Sequence, residues 1–298
     1  MNIDLSTEAK EYGAQARKAF EAAGGDTLLE RAEADPAGRA ELVTPVLDSL
    51  GAWDLEPRSD SDSAEAAAAL CRSAGYWAVP YPVAERLART EGADGLLVVA
   101  GHAPAGTIAA LDGTWATVTS DGRRSRVTGT ADDRAGFVTS LDLESIDDQG
   151  HDDLALAITL PCWTLLGMLD RALDLTIAHV RLRQQFGQPL SAFQSVQFQL
   201  TDAEVERSGL EMLARYALWS GDLTDALALR MAALEAAEVV FRVTHQLHGA
   251  VGFCEETTLS WLSRYSQPLR RLPWGLSATR ELLADAVDAH GLTGVYSA

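Results

Sequence analysis

The chain has 298 residues, 47% of them hydrophobic, enough for a substantial core and for two or three structural units rather than one minimal domain. Lysine and arginine number 24 against 43 aspartates and glutamates, a formal charge of -19 that repels phosphate backbones and anionic lipid, so no nucleic acid or membrane partner is expected. No apolar run approaches the roughly 18 to 20 residues that cross a bilayer, and the amino terminus is polar and acidic, so the expectation is a soluble cytoplasmic protein.

Residues 1–92 read as a helical domain. Alanine-rich, charge-dotted amphipathic patterns cover residues 6–23 and 36–50, and the polar stretch 54–63 ends in residues able to cap a helix over 64–75. Trp77, Pro80, Tyr81 and Pro82 then impose an extended segment. From Gly95 the period shortens. Residues 96–100, 107–111, 114–119, 124–128, 136–141 and 154–160 read as strands, with Asp112-Gly113 and Asp121-Gly122 as hairpin turns. They make a small, mainly antiparallel β unit over residues 93–160, in which the acidic run 142–153 reads as an exposed loop.

Residues 161–298 read as helices over 162–185, 193–220, 224–247, 256–265 and 277–290, four of which suit an antiparallel bundle. Thr224 and Ser277 are candidate caps, Gly249 and Gly291 candidate stops. The sharpest feature is the corner between the first two helices. Leu166, Leu169, Leu173, Ile177 and Val180 form one apolar stripe, Arg181 and Arg183 sit in its last turn, Gly187 suits a left-handed stop, and Pro189 delays resumption. Ser191 to Gln194 has capping-box spacing and opens the next stripe at Val196, Leu200 and Ala203. Cys71, Cys162 and Cys254 are few, odd and widely spaced, and read as buried or semi-buried thiols. His245 and His248 lie three apart at a helix end, where capping or packing competes with a shared metal ion that would lack a third ligand nearby.

The corner Arg183, Gln184, Gln185, Phe186, Gly187, Gln188, Pro189, Leu190, Ser191, Ala192, Phe193, Gln194 resembles that of the acyl-CoA dehydrogenase family, which carries an Arg, two variable residues, Phe-Gly, a Pro-containing turn and Phe-Gln. A second family signature resembles Gln246, Leu247, His248, Gly249, Ala250, Val251, Gly252, Phe253, with Ala250 in place of a glycine. The resemblance implies a mainly α fold: an N-terminal helical domain (1–92), a shortened middle β domain (93–160) and a C-terminal four-helix bundle domain (161–298). The family's middle-domain flavin motifs, Thr-Glu-Pro and a Trp-x-x-Thr-Asn, are absent.

Members of that family abstract a proton beside a thioester carbonyl with a glutamate held at one of two places. One falls at Trp274; the other, about 26 residues before Arg183, falls at Ala157. Neither residue is a base, so no catalytic residue is assigned, and Asp170, Asp174, Glu255 and Glu256 are the available substitutes. The signatures that do survive are those with which a family member reaches a neighbour's FAD. The resemblance therefore implies cofactor-binding roles for Arg183, Phe186, Gln194, Gln246, Gly249 and Gly252. It points to the non-catalytic subunit of the α2β2 heterotetrameric dehydrogenases of actinobacterial sterol side-chain degradation, sharing FAD with a catalytic partner that binds most of the acyl-CoA. An active homomeric enzyme with a relocated base, and a scaffold keeping only the fold, are the alternatives. Each site residue also has a structural reading: Arg183 as a helix-end charge, Gln194 as capping partner, Gly249 as helix stop.

Overall fold

A computed structural model describes residues 3–290; Gly291, expected as the last helix stop, lies outside the described residues. Five helices open the chain: α1 (Thr7–Ala23), α2 (Thr27–Ala34), α3 (Arg39–Ser49), α4 (Ser61–Tyr76) and α5 (Val83–Leu87). Ser6 caps α1 by accepting the Ala9 N–H, and Asp60 caps α4 by accepting that of Ser63 at 2.7 Å. Helix α2 escaped the sequence reading because it is a short continuation after the positive-φ turn Gly24-Gly25.

The middle of the chain forms one sheet of β1 (Gly95–Val98), β2 (Ala105–Gly106), β3 (Trp115–Val118), β4 (Arg123–Arg134) and β5 (Val138–Gln149), ordered β1-β3-β4-β5-β2. Only the β1–β3 pair is parallel among these. Three expectations are corrected here. The acidic run taken as a loop is most of β5, hydrogen-bonded to β4 and exposed on both faces beyond Leu143, so its strand character there comes from backbone pairing and not from an apolar face. Residues 107–111 lie outside the ladder, which β2 enters only at Ala105 and Gly106. Residues 154–160 are helical.

They belong to α6 (His151–Leu182), the axis of the molecule. Its buried residues cover most of its circumference, which is why no clean helical period marks its first turns. By length and composition α6 alone among the described residues could cross a membrane, against the expectation that no run was long enough; 72% of its most apolar window is buried inside the protein. After it come a hairpin of β6 (Gln184–Gln185) and β7 (Gln188–Pro189), then α7 (Gln194–Ser220), α8 (Leu223–His248), α9 (Thr258–Arg271) and α10 (Leu276–His290). The cap of α8 is Asp222, whose carboxylate accepts from Thr224 N and Asp225 N, and not Thr224; Ser277 likewise lies inside α10. The buried thiols are Cys71 and Cys162, whereas Cys254 is exposed, contrary to expectation.

Helices α4 and α6 cross with their backbones in contact. A Cβ on Gly75 would lie 1.8 Å from the Thr164 carbonyl oxygen, and one on Gly167 would lie 1.9 Å from that of Arg72, so both positions require glycine. Beside the crossing, Arg72 clamps Asp170 (Nε 2.7 Å, Nη2 3.1 Å) and Glu211 of α7 (2.9 Å), and Arg207 joins the same two carboxylates. These guanidinium groups hold the Glu211 carboxyl down at about 2, against the burial that would raise it. A depressed acid stabilises the fold above its ordinary value near 4.5 and loses that contribution as pH falls toward 2. Glu211→Gln is therefore expected to cost about 2 kcal/mol in denaturant unfolding at pH 7, the gap to wild type narrowing between pH 4.5 and 2.

Candidate functional site

Two places matter, one closed and one open. The closed one lies where helix α6, the sheet and the helical ends meet. Ala157, Ile158 and Pro161 of α6, Leu96 and Val98 of β1, Glu85 of α5, Arg230 of α8 and Pro273 line a cavity of about 50 Å³. That volume holds a few waters, whereas pockets for drug-sized ligands run from about 300 to 1,000 Å³. Arg230, 3% exposed, closes one wall by donating to the carbonyls of Leu272 and Trp274, both at 2.6 Å, so the Trp274 segment is tied down over the cavity.

The two positions that the resemblance gives to a base therefore belong to this one junction, Ala157 in its wall and the Trp274 carbonyl bonded to its arginine. The substitutes do not. Asp170 is consumed by Arg72 and Arg207, Asp174 accepts the Tyr76 hydroxyl at 2.9 Å on the α4 side, and Glu255 and Glu256 are exposed beyond α8. The cavity's own carboxylate is Glu85, which the sequence reading passed over; burial raises its pKa. Its only sequence signal was an acid within the apolar turn Val83–Leu87.

The open place is the corner. Helix α6 ends at Leu182, with Arg183 in extended conformation as its C-cap, so Gly187 is not the helix stop. It is instead the second tip residue of the β6–β7 hairpin. Phe186 and Gly187 have φ of +52° and +82°, the two left-handed positions of a type I′ turn. Glycine adopts this freely; phenylalanine does so at a cost of about 1 kcal/mol. The strained Phe186 is 93% exposed, its ring edge-on to Phe193 at 6.3 Å. Arg183 and Gln194 are exposed too, and no ion pair engages Arg183 among the described residues. The expected capping box is absent. Ser191 lies in a 3-10 turn, Phe193 is the N-cap of α7 with no side-chain bond, and Gln197 rather than Gln194 reaches back, to the Ser191 carbonyl.

The second signature closes α8. Gly249 ends the helix at φ +63°, as expected, and donates to the His245 carbonyl. Gln246 and Gly249 line an open concavity of about 540 Å³ with Arg242, His245, Phe253 and Arg270. The two arginines were missed, although Arg242 precedes Gln246 by one helical turn on the same face. Gly252 is buried: a Cβ there would lie 2.8 Å from that of His248, so its place in the structure is a packing one. His248 stacks on His179 of α6 and His245 on Phe253, each at 4.4 Å. This stack brings the end of α6, and with it the hairpin, to the same end of the bundle as the concavity. Burial lowers all three imidazoles below their ordinary value, and in His179 and His245 the neighbouring His248 adds to it, so they are neutral near pH 7.

Residues 159–273 match the acyl-CoA dehydrogenase C-terminal domain. Over that segment the chain is similar to the acyl-CoA dehydrogenase family. The Mycobacterium tuberculosis acyl-CoA dehydrogenase FadE28 is 29% identical over 181 residues, 55% of this chain and 52% of the relative. The chain spans about a quarter to a half of the length of the curated relatives it matches. Among solved structures, the fold resembles the Tcur3481-Tcur3483 steroid ACAD (TM-score 0.78, 18% identity, covering 96% of this chain and 99% of that one). It resembles the ChsE4-ChsE5 complex from Mycobacterium tuberculosis equally well (TM-score 0.77, 17% identity, 98% and 100%). The architecture is thus the acyl-CoA dehydrogenase fold of these neighbours, mainly helical with a small middle sheet.

Within an acyl-CoA dehydrogenase fold, the exposed left-handed Phe186 gains nothing for the isolated chain. Phe186→Gly is expected to stabilise the chain alone by about 0.5–1 kcal/mol in urea unfolding, since glycine removes the left-handed penalty. Destabilisation by that variant would mean the ring supports the corner from within.

Proposed function

We propose that this chain is the non-catalytic subunit of a heteromeric, FAD-dependent acyl-CoA dehydrogenase, lending its corner to the FAD of a catalytic partner in an α2β2 assembly. The observation that carries this reading is the contrast between the two places. The junction that holds the base in family members is about 50 Å³ with alanine at one base position and tryptophan at the other, while the corner presents its polar groups unpaired and outward.

The cis junction does not fit a flavin: Arg230 and the Trp274 segment close it, and no step of the reaction runs through it. The corner fits a nucleotide held by another chain. Arg183 offers a permanently charged planar fork for phosphate oxygens, with Arg242 and Arg270 adding positive charge at the same end. Gln194 and Gln246 each donate and accept, matching ribose or adenine edges, and Gly249 leaves open space within 4 Å of where a side chain would start. Neutral His179 and His248 keep the hairpin and the concavity in register without competing for the phosphate charge. Held by the partner, FAD would supply the hydride acceptor for α,β-dehydrogenation of an acyl-CoA thioester. The heteromeric ACADs among the structural neighbours, one of them named a steroid ACAD, support a partner subunit and a steroid side-chain thioester as substrate class.

The test is co-expression with a full-length acyl-CoA dehydrogenase encoded beside it. A complex carrying bound FAD is expected, and Arg183→Ala should lower its flavin content at least tenfold while the two chains still co-purify. Full flavin retention in that variant would contradict the role of the corner.

A further inference from the structure

The closed junction carries an unbalanced charge. A second cavity of about 70 Å³ adjoins the first, and Glu85, Thr107, Pro268 and Leu269 line both. Apart from two tyrosines, the ionisable side chains around the pair are Arg230 on one side, Arg39 on the other and Glu85 between them. Two buried guanidinium groups thus share one carboxyl, inside a chain whose net charge is -19.

The polar groups here are also short of partners. The Nη atoms of Arg230 donate to the carbonyls of Leu269, Leu272 and Trp274, but its Nε–H has no hydrogen-bond partner, and no carboxylate pairs with it among the described residues. The acidic group that acts on its charge is the Cys162 thiol, which burial pushes up to about 12 and so keeps neutral. The Thr107 carbonyl accepts from Arg39 at 3.0 Å, whereas no protein group bonds the Thr107 hydroxyl among the described residues. The Glu85 carboxyl is reached by its own backbone N–H alone. Buried polar groups without partners are rare and signal a bound water or ion, and a buried cation without a counter-charge is strongly unfavourable. Water satisfies the hydrogen bonds but leaves the charge.

We propose that the junction is a binding site for a small monovalent anion, of halide or formate size, held by the Arg230 guanidinium, the Thr107 hydroxyl and the Glu85 carboxyl. Burial favours the neutral form of Glu85, whose O–H then donates to the anion instead of repelling it. The cavities have room for a few waters, hence for chloride, bromide or formate, and none for an organic anion such as gluconate. Bound there, the anion neutralises Arg230 while that side chain grips the Leu272 and Trp274 carbonyls, so anion binding and closure of the junction reinforce each other. The inference needs no role toward FAD.

Thermal unfolding of the full chain in chloride, bromide or formate, against gluconate at equal ionic strength, tests it with screening held constant. A millimolar site is expected to raise the midpoint by about 5 °C at ~100 mM anion, and the rise should saturate. Thr107→Val removes one donor but keeps the backbone carbonyl that Arg39 uses, and should shift the anion concentration needed about tenfold upward. Glu85→Gln keeps a neutral donor and should preserve the response. Crystals of the chain, or of its co-expressed assembly, grown with bromide should show one anomalous peak between Arg230 and Thr107, and that position decides if Thr107→Val does not fold. Equal midpoints in chloride and gluconate, an unchanged response in Thr107→Val, or no bromide at the junction would overturn the proposal. So would a halide response seen only in Glu85→Gln, which would make Glu85 itself the counter-charge of Arg230.

Discussion

The architecture depends on one backbone contact, the crossing of α4 on α6 at Gly75 and Gly167. Two helices whose carbonyls meet the Cα atoms of their partner have no room for adjustment, so the crossing fixes the N-terminal helices relative to the bundle. The ion cluster of Arg72, Asp170, Arg207 and Glu211 then ties α7 to the same point, and Tyr76 with Asp174 continues the seam one turn further. Charges held this well are structural, which explains why the acidic residues nearest a family-like position are unavailable as bases.

From that fixed point α6 runs in both directions, and its two ends have opposite fates. Its first turns, with Ala157 and Pro161, face the sheet and the Trp274 segment across a cavity too small for a thioester and a flavin ring. Its last residues project a hairpin whose tip holds an aromatic residue in a left-handed conformation, fully in solvent. Strain stored at an exposed tip is maintained by the rigid elements around it, and it suits a surface whose partner is another molecule. The closed end and the presented end are consequences of one helix placed by one crossing.

Much of this was legible in the sequence because periodicity and turn chemistry agree along α1, α4, α7 and α8. The corner was legible as a pair of motifs, although its local mechanics differed: Phe186-Gly187 makes a hairpin turn instead of a helix stop, and Asp222 caps where Thr224 was expected. The failures share a cause. Residues 154–160 have neighbours on most sides and so show no apolar face, while the far half of β5 has none and so shows no alternation. Pattern reading needs an element with one wet face and one dry face. The cavity could not be read at all, because Glu85, Ala157, Arg230 and Pro273 converge from four separate segments.

The most direct measurement is titration of the purified chain, without any partner, with FAD followed by flavin fluorescence and calorimetry. The account predicts no saturable binding up to about 100 µM, because the chain's own junction is closed and its corner supplies only part of a nucleotide site. One-to-one binding at low micromolar concentration, accompanied by oxidation of an acyl-CoA, would contradict it and return the search for a base to Glu85.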